Sequence, residues 1–225
     1  MVEEESTDSI ARVATVEQTL AEEIASAITH GVGAALSIAA LTSLIIFATL
    51  QGDFWSVVAV TVYGTTLVFL YLASTLYHGI QFEPVKRFFH VMDHIGISFL
   101  IAGTYTPILL VKMRTIQGWF TFALIWALAL TAASIKSFFT DRYTRISTGI
   151  YIVMGWLSVF LINSMIATMG LAGFAWIVAG GVCYTLGVIP FLWHSLPFNH
   201  AIWHLFVIGG STCHFIAILL YVLPT

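Results

Sequence analysis

Seven apolar runs divide almost the whole chain, and each is long enough to cross a lipid bilayer. A spanning helix needs about 20 apolar residues, because its backbone rises only about 1.5 Å per residue through a hydrocarbon core about 30 Å thick. Short polar breaks separate the runs, and no break is long enough to hold a second domain. The pattern predicts an all-α polytopic membrane protein, a bundle of seven transmembrane helices. The runs cover residues 24–50, 54–79, 88–111, 117–138, 145–168, 171–193 and 199–223.

The composition agrees with a location in a membrane. Only 8% of the residues are charged and 59% are hydrophobic, whereas soluble domains carry about 25% charged residues. The net charge is −3 and no basic tract is present, so nucleic acid is not an expected partner. The two cysteines, Cys183 and Cys213, lie inside apolar runs. There we expect free thiols that pack as small hydrophobic groups.

Residues 1–23 differ from the rest of the chain because they are polar and acidic. No basic region precedes the first apolar run, so this segment does not resemble a secretory signal. We predict a mobile acidic tail over residues 1–23 and a seven-helix membrane domain over residues 24–225. The acidic residues of the tail are Glu3, Glu4, Glu5, Asp8, Glu17, Glu22 and Glu23.

Basic residues predict how the helices are oriented, because lysine and arginine are enriched in cytoplasmic loops. With the N-terminus inside, two basic residues stay outside, Lys112 and Arg114. Six fall inside, which favours a cytoplasmic N-terminus and places the C-terminus outside. The break at Gly170 is the least marked, because no charged residue accompanies it. The six inside residues are Arg12, Lys86, Arg87, Lys136, Arg142 and Arg145.

Ionisable residues inside three of the runs are predicted to meet at the cytoplasmic side of the bundle. His78 ends the second run, Asp93 lies within the third, and His200 and His204 open the seventh. The last two are four residues apart and therefore share one face of a helix. Ionisable groups at the edge of hydrocarbon cost free energy unless they are paired or bound.

A metal ion is a bound partner that suits this group of side chains. Neutral imidazole is a common zinc ligand, and three protein ligands leave a fourth position open for water, as in catalytic zinc sites. We assign His78, His200 and His204 as the metal ligands, Asp93 as the base that orients the water, and Ser74 as a residue that supports the site or contacts substrate. Zinc lowers the pKa of bound water to about 7. The expected chemistry is hydrolysis of a lipid amide or ester.

Less specific interpretations stay open for several polar residues. A single histidine in a membrane helix is more often an interhelical hydrogen-bonding residue than a ligand, which fits His30, His194 and His214. His90 and His94 flank Asp93 in the sequence and can hold it. Ser74 can bond a carbonyl of its own helix. The soluble metalloprotease pattern His-Glu-x-x-His is absent.

Three segments closely resemble the bacterial haemolysin III family. They are Ala73-Ser-Thr-Leu-Tyr-His78, Asp93-His94 followed by Leu100-Ile-Ala-Gly-Thr-Tyr-Thr-Pro107, and Asn199-His-Ala-Ile-Trp-His204. That family belongs to the progestin and adipoQ receptor group, within a superfamily that includes alkaline ceramidases. The resemblance covers about residues 20–223.

The resemblance implies a seven-helix bundle with a cytoplasmic N-terminus and a zinc site near the inner face. The family's zinc histidines match His78, His200 and His204, its aspartate matches Asp93, and its serine matches Ser74. Ceramidase-like hydrolysis and a role in membrane lipid homeostasis are also implied, in the inner membrane of a bacterial cell.

The function expected from the sequence is therefore a zinc-dependent hydrolase, with a membrane lipid as its substrate or ligand. One alternative is a sensor, regulator or receptor-like protein in which zinc is structural. An ion pathway ranks lower, because the ionisable residues gather at one face. A cytolytic role also ranks lower, since no amphipathic soluble form is evident. The sequence does not identify protein partners, the oligomeric state, or the roles of His30, His90, His94 and His214.

Overall fold

A computed structural model describes residues 18–140 and 144–223, and every regular element in those ranges is a helix. The all-α prediction is confirmed. Three short turns extend the helices: π turns at Ile108–Lys112 and Ile218–Val222, and a 3₁₀ turn at Leu157–Leu161. The seven helices are α1 (Leu20–Gln51), α2 (Phe54–Gly79), α3 (Glu83–Pro107), α4 (Ile116–Phe138), α5 (Thr144–Trp156), α6 (Ile162–Leu192) and α7 (Asn199–Ala217).

Six helical segments among the described residues are long and apolar enough to cross a membrane, which confirms a polytopic membrane protein. The longest, Ile146–Leu192, contains 47 residues and includes both α5 and α6. Gly170 interrupts it with φ 72° and ψ 168°, a conformation that glycine adopts without steric cost. The sequence places a break between two runs at this residue, so the difference between six segments and seven runs lies at Gly170.

The first helix begins earlier than the sequence indicates. Thr19 caps α1 in a capping box with Glu22: the Thr19 hydroxyl accepts from the Glu22 amide, and the Glu22 carboxylate accepts from the Thr19 amide. Such a box satisfies amide groups that have no partner within the helix. Glu22 and Glu23 therefore belong to the first turn of α1 and not to the acidic tail. The predicted mobility of residues 1–17 falls outside the described residues.

The start of α2 is fixed at the opposite end of the bundle by Asp53. Its carboxylate accepts from the amide and hydroxyl of Ser56 at 2.9 and 2.8 Å, which caps the helix. These hydrogen bonds lower the pKa of Asp53. The carboxylate also contacts Arg114 at 2.9 Å. The beginning of α2 is thereby tied to the connection between α3 and α4.

Helices adjacent in sequence pack side by side, and α1 also packs against α7. Small residues allow the close crossings, as is common between membrane helices. At the crossing of α1 and α2, a Cβ atom added to Gly64 would overlap the side chain of Leu41 and lie 3.1 Å from its Cα. This arrangement brings the beginnings of α1, α3 and α7 together with the end of α2.

We expect Gly64→Ala to lower the free energy of unfolding by about 1–3 kcal/mol, the usual cost of overpacking. The added methyl group must displace Leu41 or separate α1 from α2. Thermal unfolding of the purified protein in detergent measures the change.

Gly149→Ala is the matched control, because a Cβ atom at Gly149 meets nothing within 4 Å. In the interior of α5 this change should be neutral or stabilise by up to about 1 kcal/mol. Equal melting temperatures for the two variants would contradict the packing argument.

Candidate metal centre

Three histidines meet where α7 begins and α2 ends. His78, His200 and His204 each offer a ligand atom, and these atoms all lie within 4.8 Å of one another. The ring centroids are 4.9 Å apart for His78 and His200, 5.2 Å for His78 and His204, and 4.6 Å for His200 and His204. His78 and His204 are each only 1% exposed. The convergence that the sequence predicts for these three residues is therefore present.

His78 is oriented by a carboxylate from α1. Its Nδ1 lies 2.6 Å from Oε2 of Glu23, and Oε1 of Glu23 accepts from the ammonium of Lys86 on α3 at 2.9 Å. Because a carboxylate paired with lysine only accepts hydrogen bonds, Nδ1 of His78 carries the proton. In the neutral ring the lone pair is then on Nε2, which is buried without a hydrogen-bond partner among the described residues.

His204 is oriented in the same way by the backbone of α1. Its Nδ1 lies 3.2 Å from the carbonyl oxygen of Ser26 and 3.2 Å from the hydroxyl of Thr29. Since the carbonyl can only accept, Nδ1 donates and Nε2 carries the lone pair. Fixing one ring nitrogen through a hydrogen bond is how proteins usually set the tautomer of a metal-binding histidine.

The beginning of α7, which carries His200 and His204, is held by α1 as well. The backbone amide of Phe198 donates to Oε1 of Glu22 at 3.0 Å. This contact comes immediately before the first turn of α7, so the same short stretch of α1 positions all three histidines without supplying a ligand itself.

The three rings suit a metal ion that prefers imidazole. The buried Nε2 atoms of His78 and His200 have no hydrogen-bond partner in the part of the chain that the structure describes, as expected for nitrogens whose partner is an ion. In a tetrahedral site, zinc–nitrogen bonds of about 2.0–2.1 Å hold the ligand atoms about 3.3 Å apart. The three ligand atoms lie within 4.8 Å of one another, so the rings must move closer together to bind a single ion.

Asp93 and Ser74 lie beside this group. Asp93 on α3 is 8% exposed, and its carboxylate is near enough to interact with both His78 and Ser74. Ser74, one turn before His78, is fully buried, and its Oγ makes no hydrogen bond of ordinary geometry. Ser74 therefore does not bond a carbonyl of its own helix, which was the less specific interpretation.

His30 on α1 adds a fourth imidazole that the sequence analysis did not place in the site. Its ring stacks on His204 with centroids 3.4 Å apart and meets Tyr71 edge-on at 4.9 Å. Both of its ring nitrogens are buried without a hydrogen-bond partner. Within residues 18–140 and 144–223, His30 makes no interhelical hydrogen bond, and its ring stacks on His204 instead.

The remaining histidines have other surroundings. His94 bonds the carbonyl of His90 in its own helix, with its Nδ1 3.0 Å from that oxygen. His194 is exposed. His214 on α7 lies 3.1 Å from the carbonyl oxygen of Ile177 on α6. The interhelical interpretation is therefore confirmed for His214.

Glu23 is the functional residue that the sequence analysis missed, because it was assigned to the acidic tail. A signal was available in the segment Thr19-Leu-Ala-Glu22. A threonine followed three residues later by glutamate, just before an apolar run, is typical of a helix N-terminus. That pattern places Glu23 in the first turn of α1, at the end of the bundle that holds the histidines.

An elongated cavity of about 170 Å³ extends from the histidines between α3, α5, α6 and α7. Asp93, His200 and His204 line it at one end, and its other walls are mostly apolar. The lining reaches as far as Ile108 beyond α3 and His214 on α7. At about 1.5 Å per helical residue, its length is about 20 Å.

The comparisons with known proteins all point to the same family. The family described as haemolysin-III related matches residues 18–215. The chain is 51% identical to Hemolysin-3 of Bacillus cereus over 208 residues, which cover 92% of this chain and 95% of that protein. It is 44% identical to the Hemolysin-3 homolog of Bacillus subtilis (strain 168) over 203 residues, or 90% and 95% of the two chains.

A human protein is also similar. Monocyte to macrophage differentiation factor of Homo sapiens is 30% identical over 210 residues, which cover 89% of this chain and 84% of that protein. The similarity to all three relatives extends over nearly the whole membrane domain. The chain belongs to the haemolysin-III-related family of membrane proteins.

Proposed function

We propose that this protein is a zinc-dependent intramembrane hydrolase that cleaves a lipid amide or ester. His78, His200 and His204 hold the metal. The observation that carries the proposal is the convergence of these three imidazoles, with unpartnered Nε2 atoms on His78 and His200, beside a buried carboxylate at one end of an apolar cavity.

A zinc ion bound there supplies a Lewis acid that activates water and polarises a carbonyl group. Asp93 is the base: its carboxylate takes a proton from the attacking water and returns it to the leaving amine or alcohol. Ser74 is close enough to orient that carboxylate. Glu23 keeps the proton of His78 on Nδ1, so that the opposite nitrogen stays available for the ion.

The cavity indicates the class of substrate. It is elongated and its surface is mainly apolar, with side chains such as Ile97, Leu100 and Ile101 in its lining and the ionisable group of Asp93, His200 and His204 at one end. Such a shape suits an acyl chain whose polar end lies at the reacting group. A metal that only joined α2 to α7 would require no cavity beside it, so the shape favours a hydrolase over a sensor with a structural zinc.

The proposal also includes a topology of seven crossings in a bacterial cytoplasmic membrane, with the N-terminus inside. The segment Ile146–Leu192 has 47 residues, so a continuous helix would be about 70 Å long, about twice the hydrocarbon thickness. A reversal at Gly170 makes two crossings of ordinary length. The histidines then lie near the cytoplasmic face, and hydrolysis there is consistent with a role in membrane lipid homeostasis.

Purified protein should contain one zinc ion per chain, and His204→Ala should lose both the zinc and the hydrolysis. Asp93→Asn should retain the zinc but lower turnover by about 10²–10⁴-fold, because only the base is removed. Metal analysis and hydrolysis of a short-chain ceramide and of a p-nitrophenyl acyl ester measure these effects.

His194→Ala is the matched control, since it removes an exposed imidazole near the start of α7. This substitution should change neither the zinc content nor the rate of hydrolysis. Full activity of Asp93→Asn would disprove the assigned mechanism. Zinc that stabilises the protein without hydrolysis of either substrate would favour the structural role.

Glu23→Gln should weaken zinc binding by about 10- to 100-fold, the usual effect of losing a carboxylate that orients a metal-binding histidine. The amide can no longer fix the proton of His78 on Nδ1 as a carboxylate does. Competition with a chromophoric chelator measures the affinity. Glu83→Gln, which neutralises an exposed carboxylate at the start of α3, should leave it unchanged. Equal affinities for both variants would show that Glu23 does not support the metal.

Labelling of introduced cysteines tests the topology. In a background with Cys183→Ala and Cys213→Ala, a membrane-impermeant maleimide added to intact cells should label Leu171→Cys, a position 70% exposed. It should label His194→Cys only after the cells are permeabilised. If both variants require permeabilisation, the chain does not cross the membrane between the two positions.

A further inference from the structure

His214 carries a ring nitrogen that the proposed hydrolysis does not use. It lies on α7, ten residues after His204, and lines the same cavity. The residue is 8% exposed. Its Nε2 lies 3.1 Å from the carbonyl oxygen of Ile177, whereas Nδ1 is buried without a hydrogen-bond partner in the described part of the chain.

The bond to Ile177 determines what the free nitrogen can bind. A carbonyl oxygen only accepts hydrogen bonds, so Nε2 carries the proton and Nδ1 of the neutral ring carries a lone pair. A buried acceptor of this kind usually has a partner, either a protein group or a bound molecule. Only a group that donates a hydrogen bond satisfies Nδ1.

Gly180 leaves room for the His214 ring because it has no side chain. A Cβ atom at Gly180 on α6 would overlap the ring of His214 and lie 3.0 Å from the carbonyl oxygen of Gly210. Tyr184 stands beside the ring with centroids 5.4 Å apart. Its hydroxyl is already paired with Oγ of Ser211 at 2.8 Å, so the neighbouring tyrosine is engaged elsewhere while Nδ1 is not.

We propose that His214 forms a second polar subsite in the cavity, which accepts a hydrogen bond from a hydroxyl group part-way along the bound lipid chain. Ten helical residues separate His214 from His204 by about 15 Å. An extended chain advances roughly 1.2 Å per bond, so the hydroxyl lies roughly twelve bonds from the reacting group. The preferred ligand is an acyl lipid hydroxylated near the middle of its chain. This inference rests on the acyl-chain cavity of the proposed function, but not on hydrolysis.

Binding of two free fatty acids tests the subsite. Trp156 and Trp203 line the cavity, so tryptophan fluorescence of the purified protein in detergent reports occupancy. 12-Hydroxyoctadecanoic acid should bind about five- to tenfold more tightly than octadecanoic acid, as one added hydrogen bond allows. His214→Phe should abolish this preference, so that the variant binds the two acids with equal affinity. The affinity ratio of 2-hydroxyoctadecanoic acid, whose hydroxyl lies at the polar end, to octadecanoic acid should be the same in wild type and variant.

His214→Leu decides the question if His214→Phe does not fold. Its side chain neither donates nor accepts a hydrogen bond, so the preference should again be lost. An unchanged preference in His214→Leu would overturn the subsite. Equal binding of the two acids by the wild-type protein would also overturn the subsite, but it would not contradict the proposal of an acyl-chain cavity. Wild type that binds neither acid would overturn both.

Discussion

The hydrogen bond between Glu23 and His78 is the interaction on which the candidate metal centre most depends. Glu23 also pairs with Lys86, so a single carboxylate connects α1, α2 and α3 at the level of the histidines. Without it, His78 would present a buried ring of undetermined tautomer to an apolar environment, where unpaired polar groups are costly. One helix that supplies no ligand thus sets the orientation of the ligands that two others supply. The same helix holds His204 through Ser26 and the start of α7 through Glu22.

The all-helical fold and the order of the helices could be predicted from the sequence, because apolar runs of membrane-spanning length mark them everywhere except at Gly170. The convergence of His78, His200 and His204 could also be predicted, since alternating helix directions bring the end of the second run and the start of the seventh to one face. The part played by α1 could not be predicted in this way. Its contacts come from two glutamates that resemble solubilising charges, and from a backbone carbonyl that no side-chain pattern reveals. The stacking of His30 on His204 depends on the packing of α1 against α7, which composition and spacing do not encode.

At Gly170, apolar length alone does not reveal where one helix ends and the next begins. No charge interrupts the sequence there, and the helix on either side is apolar, so length and hydropathy alone give one segment of 47 residues. The positive φ of 72° is the local evidence for a change of direction, because a helix cannot continue through that conformation. Backbone geometry and the thickness of a bilayer therefore favour two crossings where hydropathy alone indicates one.

His204 and His214 on α7 are oriented by the backbone in opposite ways, which underlies the two different ligands proposed for them. In His204 a carbonyl of α1 accepts a hydrogen bond from Nδ1, so the lone pair lies on Nε2. In His214 a carbonyl of α6 accepts a hydrogen bond from Nε2, so the lone pair lies on Nδ1. Near the other imidazoles, a lone pair suits a cation. Away from the other imidazoles, it suits a neutral hydrogen-bond donor, because an isolated buried charge would be too costly there. The backbone partners of these two rings, rather than the rings themselves, thus determine what each end of the cavity can bind.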